Sequence, residues 1–156
     1  MQADDIYKFI STLNINNPIV IGHSGGATCA MYLAIKYNEL ISKLVLCSAL
    51  ARKDNVSFSK LSKFLSKILI YPSKKKTMKL WDLVESAKDI PIKDLEQIKC
   101  KTLIVNGSKD IVNIEEAKYL KNAISNSNLL ILKNENHTSY LRKIKWYNEL
   151  KEFLGE

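Results

Sequence analysis

Ser24 is the residue of this chain best set up for covalent chemistry. It lies in Gly22-His23-Ser24-Gly25-Gly26, directly after the apolar, β-branched run Ile19-Val20-Ile21 and directly before a helical pattern. Gly-x-Ser-x-Gly between a strand and a helix is the sequence form of a nucleophile elbow, a tight turn that presents the serine. Such a turn strains the serine backbone, so its neighbours must carry almost no side chain. Gly22 and Gly26 are expected to let strand and helix approach closely. The helix start offers free N–H groups and a positive dipole end, which suits a developing oxyanion. The pentapeptide is by itself a common string, so a reacting serine requires a base and an acid from elsewhere.

The chain has two histidines, His23 and His137. The side chain of His23, next to Ser24 in the turn, leaves in another direction and reads as packing. His137 follows Leu129-Leu130-Ile131-Leu132, which reads as a buried strand. It closes the polar loop Lys133-Asn134-Glu135-Asn136-His137, where it is either a base or an ordinary exposed loop residue. The acid candidate has the same setting. Lys101-Thr102-Leu103-Ile104-Val105-Asn106 reads as another buried strand, and Gly107-Ser108-Lys109-Asp110 follows. Asp110 is an acid there, or a turn or N-cap residue for the next helix. Ser24, Asp110 and His137 thus each stand beyond the C-terminal end of a predicted strand, the edge of a parallel sheet where sites form.

Ser, Asp, His in that chain order is the order of the α/β-hydrolase arrangement. From Asp4 onward the chain resembles the C-terminal part of an α/β-hydrolase fold protein. Residues Ile19 to Ala27, with the helix running to Tyr37, are similar to the family's elbow and its helix. Leu40 to Ala49 resembles the next strand, and Thr102 to Asp110 resembles the acid strand. Asn136-His137 stands where the family has Gly-His. The resemblance implies that Ser24 is the nucleophile, His137 the base, Asp110 the acid and the N–H of Gly25 an oxyanion donor. It implies no cofactor and no metal, and a small acyl compound as substrate.

The chain departs from the family pattern at several points. Asn136 replaces a glycine, and asparagine is the residue type that best tolerates positive φ after glycine. Lys101 and Asn38 stand where prolines are usual, away from the chemistry. The largest departure is upstream. The family sheet has about eight strands with the elbow strand normally fifth, whereas residues 1–17 are all that precede it here and Asp4 to Leu13 reads as one helix. The upstream strands are expected to be missing, with the loop that supplies a second oxyanion donor. Loss of one donor typically costs about 10²–10³ in rate, so weak activity is expected. Two alternatives follow: a catalytically impaired remnant or fragment, and a binding or assembly subunit completed by another chain. The elbow strand, apolar and uncharged, would then be an exposed edge that self-associates or takes a strand from a partner.

Composition bounds the rest. The chain has 156 residues and a hydrophobic fraction of 46%, enough for one domain with a real core, expected to span residues 1–156. Cys29, Cys47 and Cys100 lie in apolar segments without metal-type spacing, which reads as buried thiols in a reducing, cytoplasmic compartment. No stretch approaches the length of a membrane span, and Met1-Gln2-Ala3-Asp4-Asp5 does not read as a signal peptide. The net charge of +8 is carried almost entirely by lysine, with Arg52 and Arg142 the sole arginines. Arginine scarcity argues against specific nucleic-acid recognition, and spread lysines read as solvated surface.

Residues 51–98 separate the second and third strands, where the family carries a lid. Leu61, Phe64, Leu65, Ile68 and Leu69 recur at helical spacing, and Thr77 to Ala87 forms a second candidate helix around Trp81 and Val84. The segment reads as a lid over an acyl pocket or as a packing insertion. A last helix is predicted over Ser139 to Leu154, covering one sheet face. The expected architecture is therefore α/β: a truncated α/β-hydrolase fold of about four mostly parallel strands, flanking helices and a short helical lid.

Overall fold

Four short apolar runs form four strands, and all of them pair in parallel. The computed structural model describes residues 2–56, 88–143 and 146–155. Its strands are β1 (Ile19–His23), β2 (Lys43–Cys47), β3 (Lys101–Gly107) and β4 (Ser127–Leu132). They lie in one sheet in chain order, β1-β2-β3-β4. Parallel neighbours need crossovers. Helix α2 (Gly25–Lys36) joins β1 to β2, and α4 (Ile114–Ala123) joins β3 to β4. Helix α1 (Gln2–Thr12) precedes β1, the short α3 (Ile92–Leu95) precedes β3, and α5 (Tyr147–Leu154) follows β4.

Alternation along β2 and β3 divides the core in two, because successive side chains point to opposite faces. Leu44, Leu46 and Ile104 face α2 and α4, burying Ala27, Met31, Leu33, Leu120 and Ile124, with Ile10 of α1 outside them. Val45, Cys47, Leu103 and Val105 face the other way, onto Tyr140 and Phe153. Both faces of the central strands are apolar, which is why they read as continuous rather than alternating runs.

The predicted last helix is corrected. Ser139–Arg142 forms a separate 3₁₀ turn, Lys143 is extended (φ −115°, ψ 134°), and α5 begins at Tyr147. The reason is local. Tyr140 is drawn under the sheet, where its hydroxyl meets Ser48 at 2.5 Å and its carbonyl accepts the indole N–H of Trp146 at 2.9 Å. The first turn therefore belongs to the histidine loop. Helix α5 ends at Gly155 with φ 85°, the left-handed conformation that closes helices.

The cysteine expectation is also corrected. Cys47 is buried, and burial pushes its thiol up to about 12, but Cys29 and Cys100 are half-buried. The two lid helices expected around Leu61–Leu69 and Thr77–Ala87 lie outside the described residues. At the base of that insertion, buried Glu116 accepts the main-chain N–H groups of Ala51 and Arg52, the Arg52 guanidinium and the Asn55 amide. Ile90 N–H donates to Ala51 O, so both ends of the insertion meet at one point. Among the described residues, no helix is long and apolar enough to cross a membrane.

Candidate active site

Ser24 occupies the sharp turn between β1 and α2 with φ 54° and ψ −123°. A non-glycine residue there is strained, and surrounding structure must hold it. Ser24 N–H donates to Cys47 O at 2.9 Å, which ties the turn to the end of β2. Ser24 O accepts the N–H groups of Ala27 (2.9 Å) and Thr28 (3.2 Å). The N–H of Gly25 opens the helix and has no acceptor within it, as holds for any first-turn donor. Gly22 matters for approach: a Cβ there would lie 2.6 Å from Ala27 Cα. The expectation for Gly26 is corrected, since a Cβ on Gly26 would meet nothing within 4 Å. Only its carbonyl takes part in the close contact, 2.6 Å from a Cβ on Gly22.

Asp110 follows β3 in a turn closed by its own N–H on Gly107 O (3.1 Å). It is not the N-cap of α4; Asn113 holds that position. The Asp110 side chain is fully buried. Its Oδ1 accepts Val112 N–H at 3.0 Å and faces His137 Nδ1 at 2.8 Å. The other ring nitrogen, His137 Nε2, lies 3.0 Å from Ser24 Oγ. Three residues from three strand-end loops thus form one hydrogen-bonded line.

The electrostatics set the direction of that line. Burial pushes the Asp110 carboxyl up, but hydrogen bonds from His137, Ser48 and the Val112 N–H outweigh it and leave the group below its ordinary value. Asp110 is therefore an anion at neutral pH and can only accept. His137 Nδ1 must then donate to it. In the neutral ring, Nε2 is left to accept from Ser24 Oγ–H.

Several positioning residues gave no signal of function in the sequence. His23 is more than packing: its Nε2 donates to His137 O at 2.7 Å, and the two rings lie 4.8 Å apart. Gly107 is required because a Cβ there would sit 2.3 Å from Glu135 O, in the main chain of the histidine loop. That loop is laced to the acid loop by Lys109 N–H on Glu135 O (2.8 Å) and by Asn134 N–H on Ser108 Oγ (2.8 Å). The positive φ expected at Asn136 is found at Asn134 instead (φ 63°). The Asn136 side chain has a different task. Its Oδ1 accepts the N–H groups of Thr138 (3.1 Å) and Ser139 (3.0 Å), starting the turn after His137. Such Asx turns are a common use of asparagine.

The family model described as alpha/beta hydrolase fold matches residues 1–83. No curated protein matches the chain. Among solved structures, a meta-cleavage product hydrolase from Pseudomonas fluorescens superposes with a TM-score of 0.76 at 17% identity, over 98% of this chain and 70% of that one. The 2-hydroxy-6-oxo-6-phenylhexa-2,4-dienoate hydrolase of a Rhodococcus species gives 0.75 at 16% identity, over 99% and 69%. An alpha/beta hydrolase from a lagoon-sediment metagenome gives 0.72 at 20% identity, over 96% and 66%. At such identities the likeness is one of fold.

Proposed function

Because the chain belongs to the alpha/beta hydrolase fold family, we propose that it is a serine hydrolase acting on a small ester or related acyl compound through Ser24, His137 and Asp110. The observation that carries this reading is the His137 ring, with Nδ1 2.8 Å from Asp110 and Nε2 3.0 Å from Ser24 Oγ. In the reaction, Ser24 Oγ attacks the acyl carbon while His137 Nε2 takes its proton. Asp110 keeps Nδ1–H in place and stabilises the imidazolium that forms. Gly25 N–H donates to the oxyanion. His137 then gives the proton to the leaving group, and an acyl-Ser24 ester remains. Water, deprotonated by the same nitrogen, releases the acid and restores Ser24.

Gly25 is the one oxyanion donor this reading identifies among the described residues. Loss of one oxyanion donor typically costs about 10²–10³ in rate, and hydrolysis of an activated ester such as p-nitrophenyl acetate is the activity that tests the reading. Ser24→Ala should reduce it to the solvent rate. Undiminished hydrolysis by Ser24→Ala would remove Ser24 from the mechanism. A second reading, a subunit completed by another strand, is favoured by the exposure of Ile19 and Ile21 on β1 (46% and 54%). It predicts that activity rises when a strand-bearing partner is supplied.

A further inference from the structure

We propose that Ser48 and Tyr140 are positioning residues for Asp110: a two-hydroxyl relay that fixes which carboxylate oxygen faces His137. The proposal rests on the hydrolase reading above.

Asp110 presents two oxygens inside the protein, where its side chain is fully buried. Oδ1 is taken by His137 Nδ1 and Val112 N–H. Oδ2 accepts Ser48 Oγ–H at 2.5 Å. Ser48 Oγ also lies 2.5 Å from the Tyr140 hydroxyl. Ser48 and Tyr140 are both completely buried. Each hydroxyl has one proton. An anionic carboxylate can only accept, so the Ser48 proton goes to Oδ2. The Tyr140 proton must then go to Ser48 Oγ. Burial raises the Tyr140 hydroxyl well above its ordinary value, so it remains a donor. The direction of the chain is therefore fixed: Tyr140 to Ser48 to Asp110.

Backbone geometry points the same way. Ser48 follows β2 directly and adopts φ 49°, a conformation uncommon outside glycine, asparagine and aspartate. Its N–H is held on Val105 O at 2.9 Å. A strained residue persists where its surroundings over-determine it, often at a functional site. Here the strain sets the hydroxyl against the acid. Tyr140 lies three residues beyond His137 on the same loop, with its ring edge-on to His23 (6.3 Å, 69°) and to Trp146 (6.1 Å, 79°). The histidine loop thus grips the acid twice, directly through His137 and indirectly through Tyr140 and Ser48. Removing Ser48 Oγ would leave Oδ2 buried without a donor, and the carboxylate could rotate away from His137.

The test is a variant series read in two ways. The first readout is the downfield proton NMR signal of His137 Nδ1–H, assigned by its loss in His137→Gln. The second is the rate of fluorophosphonate labelling at Ser24 across pH. Ser48→Ala is expected to shift or broaden the Nδ1–H signal, to slow labelling about tenfold and to move the acid side of the pH profile upward, since Asp110 loses a donor that lowers its pKa. Tyr140→Phe should act in the same direction but less, and Ser48→Gly, which suits φ 49° but also lacks the Oγ, should behave like Ser48→Ala. A role in packing alone would lower the melting temperature and leave both the signal and the pH profile where they were. An unchanged signal and unchanged profile in folded Ser48→Ala overturn the proposal. The NMR readout needs no turnover. A perturbed signal in an unreactive parent therefore supports the relay while rejecting the hydrolase reading.

Discussion

Asp110 carries the charge that orients the site, and its environment makes a pH prediction. Its carboxyl is held below the ordinary value by hydrogen bonds that exceed the cost of burial. A carboxylate depressed in the folded state adds stability above its unfolded value, and the contribution is lost as pH falls through the depressed one. The stability difference between the parent and Asp110→Asn should therefore narrow as pH drops below the carboxylate range, as followed by thermal unfolding. At neutral pH the same variant should slow serine acylation by about 10³–10⁴, because an amide can hold the wrong imidazole tautomer. A parent-like rate would show that Asp110 does not act on His137. Asp110 also illustrates what residue types conceal. A strand-end aspartate is equally an N-cap, and the distinction lies in Asn113, which holds the cap, and in Ser48, whose hydroxyl reaches Asp110 across 62 residues of sequence.

At the scale of elements, the site depends on how closely the β3 turn and the histidine loop can approach. Gly107 is the contact point. A Cβ there would lie 2.3 Å from Glu135 O and 2.7 Å from Glu135 C, both main chain, so the loop bearing His137 would have to move. A displacement of about 1 Å at a reacting group costs on the order of 10²-fold in rate. Gly107→Ala should therefore cut labelling of Ser24 by at least about that factor. Gly26→Ala, which meets nothing within 4 Å, should leave it close to parent. Equal labelling of the two variants would show that the loop tolerates displacement.

The four strands were legible because Ile19-Val20-Ile21, Leu44-Val45-Leu46, Leu103-Ile104-Val105 and Leu129-Leu130-Ile131 are apolar runs ended by turn residues. The Ser24 turn was legible because its glycines surround it in sequence. Gly107, Ser48 and Tyr140 were not, because what each one touches is distant along the chain. The last helix departs from its sequence pattern for a related reason. Helical spacing runs on through Leu141, Ile144 and Trp146, but tertiary contacts of Tyr140 divert the chain before Tyr147. The role of Asn136 is hidden because asparagine serves equally well as a left-handed residue and as a side-chain acceptor, and Asn134, two residues earlier, takes the first role.

For the whole molecule, association is set by β1, which is an edge of the sheet among the described residues. Pro18 O accepts Ser42 N–H, and Ser24 N–H reaches Cys47 O, so the even-numbered residues between them direct their main-chain groups at β2. In a strand these directions alternate, which turns the N–H groups of Ile19 and Ile21 outward. Their side chains are about half exposed, and Phe9, Leu13 and Ile15 add exposed apolar surface just upstream. Such an edge templates another strand. In a pure preparation of this chain the strand available is that of a second copy. Sedimentation should therefore show association that grows with concentration, with the Ile19 and Ile21 amides exchanging faster than that of Val20 in dilute solution. A monomer at high concentration with all three amides slow to exchange would mean that the edge is already covered.

The central claim is that Ser24 is a nucleophile activated by His137, and an adduct-mapping experiment tests it most directly. The chain is treated with a fluorophosphonate and digested, and the modified residue is located by mass spectrometry. The account predicts a single adduct on Ser24, its formation abolished in Ser24→Ala and greatly slowed in His137→Gln. No adduct on the folded chain, or one that forms on Ser24 at the parent rate without His137, would contradict it.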